Sequence, residues 1–264
     1  PIVFGPALAN YMSRVLPALG VNGVSPRTYH KWVSGLRQRA LPELPGHYAE
    51  NTPMDVIELK RHPLWLKYYH EEIKKRTLKF RELFTVKLAK VEGLDLLLEA
   101  WDSLTVLPLI PRLLRLVHWS KAEVSIKNVA KLDSARMEKQ LHNVLEQAFP
   151  ELFEAPHLLT SQIWNDCLVS QELLLETVER LAPGEFSETQ LTSAWSWSVR
   201  QYQKRLDAGE AIDTDRVSLI DQVDGYGSGE LNFADEKALL DEEDDSLLLI
   251  LFQLLMGPLR RKNG

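Results

Sequence analysis

One cysteine, Cys167, in a chain of 264 residues leaves no internal disulfide and no cysteine-held zinc. Its apolar neighbours in IWNDCLVS make it a small buried hydrophobe rather than a nucleophile. Long hydrophobic runs are also missing. The longest, Leu247 to Met256, is far short of the roughly 20 residues that span a bilayer. No charged-then-apolar leader pattern opens the chain, so a cytoplasmic protein with no membrane partner is expected. There is no G-x-x-x-x-G-K-[S/T] loop to cradle nucleotide phosphates. Ser228 lies in no nucleophile elbow, and the seven histidines are scattered, His62 and His70 lacking a third ligand at metal spacing. No catalytic residue and no metal or cofactor ligand is therefore assigned.

What is present is an ordinary globular composition, 45% hydrophobic and 26% charged, with the charge unevenly spread. Ten Lys/Arg face three Glu between Lys60 and Lys90, whereas fourteen acids face Arg216 and Lys237 between Asp207 and Asp245. An anionic partner is expected on the first half. The basic stretch interleaves Trp65, Tyr68, Tyr69, Phe80 and Phe84, which suits either a nucleic-acid surface or an amphipathic helix with a solvated lysine face.

Ile2 to Phe4 reads as a strand stopped by Gly5-Pro6, and Ala7 to Leu16 as a helix with Leu8, Tyr11, Met12, Val15 and Leu16 on one stripe. Val24 to Thr28 can form a second short strand, and Trp32, Val33 and Leu36 restart a helical stripe on which Trp32 is expected to face inward. Leu41 to Pro53 reads as loop.

Beyond it the pattern is helix upon helix. Leu64 to Val91 is expected to be one long helix or to break near Thr77. Asp95 to Ser103 and Pro111 to Trp119 follow, then a helix capped by Asp133, then one helix or two over Leu158 to Leu181. Ser187 and Gln190 form a capping-box pattern. Asp224 to Ser228 is a Gly-rich link without the phosphate-binding spacing. Asp241 to Asp245 precede an all-apolar segment closed by Gly257-Pro258. Those acids suit the N-terminal pole of a helix dipole, with a divalent-metal cluster as the sharper alternative.

The opening VFGPALANYMSRVLPALG and the following VSPRTYHKW resemble motifs Ia and Ib of superfamily 1 DNA helicases of the UvrD/Rep type, including the HelD-like branch. The matching residues are Gly5-Pro6, Tyr11 to Gly20, and Thr28-Tyr29-His30, with Ala7 standing where the family usually has Asn. The C-terminal LLDEEDDSLLLILFQLLMGPLRRKNG resembles the segment that precedes the family's magnesium-binding Asp-Glu motif.

The resemblance implies a mainly α fold: a small α/β remnant of a RecA-like lobe over residues 1–45, an inserted helical subdomain over 46–232, and a helix returning to the lobe over 233–264. It further implies a fragment of an ATP-dependent 3′–5′ helicase that contacts single-stranded or partly duplex DNA without hydrolysing ATP. ATP and magnesium would be held by the parent protein. Gly5, Pro6, Thr28, Tyr29 and His30 would be DNA contacts, and the basic stretch adds Lys74, Lys75 and Arg76. Implied partners are the remaining helicase lobes and, in an alternative reading of the helical part as a docking module, RNA polymerase.

Overall fold

A computed structural model describes residues 1–126, 134–207 and 239–259. The expected cap Asp133, the Gly-rich Asp224 to Ser228, most of the acidic stretch and the terminal Arg260 to Lys262 lie outside the described residues. The protein is mainly α, with a two-stranded parallel sheet at its N-terminus. It divides into two compact units.

The first unit takes residues 1–62, 165–175 and 185–249, so the boundary expected at 45/46 falls inside it. Its elements are β1 (Ile2–Val3), α1 (Pro6–Ala18), β2 (Arg27–Thr28), α2 (Tyr29–Ala40) and α3 (Met54–Arg61). It also holds α10 (Glu188–Asp207) and the first half of α11 (Glu242–Met256). Pro6 occupies the first turn of α1, where a missing N–H costs nothing. The helix also absorbs Pro17, which sits in its last turn.

Both strands are shorter than their apolar runs because only two residues of each find a partner: Ile2 pairs with Arg27 and Val3 with Thr28. The eight-residue α3, between Pro53 and Pro63, is too short to carry a convincing stripe, and the sequence reading passes over it. It packs on α10. Nearby, Val199 and Tyr202 of α10 bury against Val169, and Trp195 donates its indole N–H to the Val169 carbonyl at 2.7 Å. The Ser187 and Gln190 capping box forms: Ser187 N donates to Gln190 Oε1 at 3.0 Å and Gln190 N donates to Ser187 Oγ at 3.3 Å.

The second unit takes residues 63–164, 176–184 and 250–264. Here α4 (Leu64–Lys87), α5 (Leu94–Ser103), α6 (Leu109–Ile126) and α7 (Ser134–Ala148) each pack on the next, and α7 returns to α4, closing a four-helix bundle. Trp65, Tyr69, Phe84, Leu97 and Trp101 lie in its core. No break occurs at Thr77, whose hydroxyl instead donates to the Ile73 carbonyl one turn back at 2.7 Å. The pair α8 (Leu158–Val169) and α9 (Gln171–Leu181), each divided between the two units, is split at Ser170 of the first, whose Oγ accepts from Leu173 N at 3.3 Å. Gly257 ends α11 at φ +90°, a backbone conformation that side chains resist.

Candidate nucleic-acid interface

Because β1 and β2 run parallel, the chain leaves both at the same edge of the sheet, and each strand leads at once into a helix. Two helix N-termini therefore open at one edge. Each carries backbone N–H groups without intrahelical acceptors and the positive pole of a helix dipole. Gly5 is the extended residue before α1, with no side-chain cap. Thr28 caps α2, its Oγ1 accepting from Lys31 N at 3.3 Å.

Beside this edge lies a cleft of about 580 Å³. Pro6, Asn10 and Ser13 line it from one face of α1, and Ser25, Arg27 and Lys31 from the other side. No acid lines it, and Arg27 and Lys31 are exposed and make no ion pair among the described residues. Arrangements of this kind, dipole poles plus free cations plus short hydroxyl and amide side chains, attract phosphates.

The expected contact residues divide. Gly5, Pro6 and Thr28 stand at the edge itself, although the Thr28 hydroxyl is engaged as a cap and largely buried. Tyr29 is exposed, and its hydroxyl lies 3.1 Å from Ser246 Oγ. His30 turns toward Tyr48, ring centroids 5.0 Å apart, with Nδ1 4.0 Å from Glu242 Oε2. Trp32 does not face inward as expected. It is exposed beside Tyr29, because the buried stripe of α2 is Val33, Arg37 and Ala40, and Trp32 stands off that stripe. Arg27, Lys31, Asn10 and Ser13 were missed; the signal was the pair of bases flanking Thr28-Tyr29-His30.

Lys74, Lys75 and Arg76 belong to the second unit. Lys74 and Lys75 are exposed on α4 beside a shallow hollow of about 420 Å³ that Glu71 and Glu82 also line. Arg76 is held by Glu72 at 2.7 Å. Of the interleaved aromatics, Trp65, Tyr68, Tyr69 and Phe84 are buried, so they have no face to offer a base. The amphipathic-helix reading accounts for them. Replacing Lys74 and Lys75 together by Ala is expected to weaken single-stranded DNA binding by no more than about twofold at moderate salt, measured by fluorescence anisotropy.

The acids that open α11 are not arranged as a metal cluster. Among the described residues no three His, Cys, Asp or Glu side chains are placed to share an ion, and cations meet these acids instead. Lys60 of α3 reaches Asp241 and lies 2.7 Å from Asp244 Oδ1. Arg37 of α2 donates through Nε to Asp245 Oδ1 at 2.8 Å, and Arg61 donates to Glu243. Asp241 also accepts from Thr52 at 2.7 Å and from the Trp197 indole at 3.1 Å. Asp244 Oδ2 accepts from Asp241 N at 2.9 Å, the reach-back bond of a capping box at the head of the helix.

Burial pushes both Asp241 and Asp244 up. For Asp241 the Lys60 ammonium and the Thr52 and Trp197 donors outweigh it, and the carboxyl sits below its ordinary range. For Asp244 burial, helped by the neighbouring Asp241 charge, wins and the carboxyl sits above it. Burial pushes Lys60 down, but the two carboxylates outweigh this and hold it above its ordinary value. A group held low stabilises the fold above its unfolded pKa, and a group held high gains as pH falls. Asp241→Asn is therefore expected to cost about 3 kcal/mol near neutral pH. Asp244→Asn, which keeps an acceptor for Asp241 N, is expected to cost about 1 kcal/mol. Urea midpoints measure both.

No protein-family model matches the chain, and no curated protein or solved structure matches it either.

Proposed function

We propose that this chain is the DNA-gripping part of an ATP-driven 3′–5′ helicase or translocase of the UvrD/Rep type, its N-terminal edge holding the phosphates of a single strand. One observation carries the reading: two helix N-termini and Lys31 stand at the carboxyl end of a parallel strand pair, beside an acid-free cleft that the exposed Arg27 also lines. Ligands of open α/β sheets bind at that edge, and a strand of alternating phosphates suits an open cleft with separated cations. In this reading ATP and magnesium belong to other parts of a parent protein, since the chain has no phosphate-cradling loop of its own.

The bare surface of α1 supports the same reading. None of its residues is buried, and Phe4, Leu8 and Tyr11 are exposed around a sheet that has two strands among the described residues. Parallel sheets are normally covered on both faces, so the remainder of a RecA-like lobe is the natural cover. A docking role for the acidic region, with RNA polymerase as partner, has no observation of its own to favour it: most of that region lies outside the described residues, and of the described acids Asp241, Glu243, Asp244 and Asp245 are buried against cations.

Replacing Arg27 and Lys31 together by Ala tests the reading. Oligothymidylate affinity is expected to fall about tenfold near 0.1 M salt, and the plot of log K against log salt to flatten by about 1.4. Unchanged affinity and slope would refute it.

A further inference from the structure

α2 packs on β1 and β2, and its side chains add a set of polar contacts on another stripe. His30, Ser34 and Arg37 recur at helical spacing on one stripe of the helix, and Tyr29 stands beside it. That stripe meets the head of α11 and Tyr48. Tyr29 Oη lies 3.1 Å from Ser246 Oγ, and His30 lies edge-on to Tyr48 and 4.0 Å from Glu242. Tyr48 Oη donates to Asp245 Oδ2 at 2.6 Å and lies 2.7 Å from Ser34 Oγ. Arg37 is fully buried against Asp245, and its Nη1 donates to the Leu44 carbonyl at 3.3 Å.

Apolar burial on α2 is slight by comparison, limited to Val33 and Ala40. Close-packed apolar contacts resist sliding as well, but a buried guanidinium–carboxylate pair adds directional hydrogen bonds that favour one rotation and one height. The pair is also a poor device for stability alone. Arg37 Nη2 has no hydrogen-bond partner among the described residues, and a buried unmade bond costs free energy. Lys31 sits about a quarter-turn round the helix from the braced stripe, and Arg37 lies about 13 Å along the axis from the Thr28 cap. Thr28 is pinned by its pairing with Val3, so rotation about the axis at the braced end turns the helix against that cap and moves Lys31 relative to the cleft.

We infer that Arg37, Asp245 and Tyr48 are positioning residues: the buried brace from the head of α11 sets the rotation of α2 beyond its sheet-anchored cap, and so aims Lys31 into the phosphate cleft. This rests on the reading of the cleft given above.

The double variant Arg37→Met/Asp245→Leu removes the brace while leaving an apolar pair of similar bulk, a replacement that buried ion pairs commonly tolerate. Two readouts on the full chain are needed. One is oligothymidylate affinity by anisotropy. The other is the ¹⁹F resonance of Trp32 in protein labelled with 5-fluorotryptophan, assigned by Trp32→Phe. Circular dichroism and a thermal melt monitor folding.

The expected result is a folded protein, about tenfold weaker DNA binding, and a shifted or broadened Trp32 resonance. Tyr48→Phe, which keeps the ring beside His30 and loses only the hydroxyl, is expected to move both readouts the same way by about two- to threefold in affinity. It carries the test if the double variant does not fold. Unchanged affinity with an unchanged Trp32 resonance in a folded variant overturns the inference. If wild-type protein does not bind oligothymidylate, the reading of the cleft fails, and the Trp32 resonance alone decides whether the brace positions α2. If wild type binds, Arg27→Ala/Lys31→Ala weakens binding and the brace variants do not, the reading stands and the inference falls.

Discussion

Lys60→Ala is expected to destabilise the first unit by about 3–5 kcal/mol near neutral pH, because it strips two buried carboxylates of their shared cation. Asp241 is fully buried and Asp244 nearly so, and Lys60 is itself 5% exposed, so water cannot take the place of the lost ammonium. Thr52 and Trp197 still donate to Asp241, but neutral donors do not offset a full charge out of water.

The pH dependence has a definite sign. Carboxyls denied their cation have raised folded-state pKa values, so the variant regains stability as they take up protons on acidification. Its deficit against wild type is expected to shrink steadily from pH 7 to pH 5. Adding Asp241→Asn and Asp244→Asn to Lys60→Met removes the uncompensated charge and is expected to recover much of the loss. Urea midpoints across that pH range measure the effect. A deficit under about 1 kcal/mol, or one that grows on acidification, contradicts the electrostatic account.

In the four-helix bundle, Trp101→Ala is expected to cost a further 3–5 kcal/mol, roughly the loss for truncating a buried tryptophan. Trp101 is 1% exposed. Its ring meets Phe84 edge-to-face at 5.4 Å between centroids, and the Arg112 guanidinium stacks 3.8 Å from its ring centroid. Arg112 also donates through Nε to the Trp101 carbonyl at 3.0 Å, which ties the head of α6 to the end of α5. Truncation thus opens a cavity where α4 and α5 meet and unstacks a buried cation. Trp101→Phe keeps a ring beside Phe84 and a smaller platform for Arg112, and is expected to lose roughly half as much. Thermal melts followed at 222 nm compare the two.

The mainly α fold was legible because helical periodicity is local. The stripes of α1 and α4, the capping box at Ser187 and the closing Gly257 each depend on residues within two turns of one another. The head of α11 was legible only in part. Its acids fit a helix dipole, but the cations that meet them, Lys60 and Arg37, come from 181 and 208 residues away, and no local pattern announces such a pairing. Trp32 misled because an aromatic at helical spacing suggests the core, while the face of α2 that turns inward carries Val33, Arg37 and Ala40.

Of the cleft, the sequence showed the Gly5-Pro6 stop, since turn chemistry is local, whereas Thr28 was named through the resemblance and its capping of α2 was not foreseen. Arg27 and Lys31 became visible as a pair with Asn10 and Ser13 only when the parallel register brought β2 beside β1.

A salt titration of oligothymidylate binding to the full chain addresses the central claim most directly. Because the cleft offers two free cations and two dipole poles, wild type is expected to bind at low salt, with affinity falling linearly in log–log form by a slope of at least about 1.4. Binding that is absent at low salt, or insensitive to salt, would contradict a phosphate-holding edge.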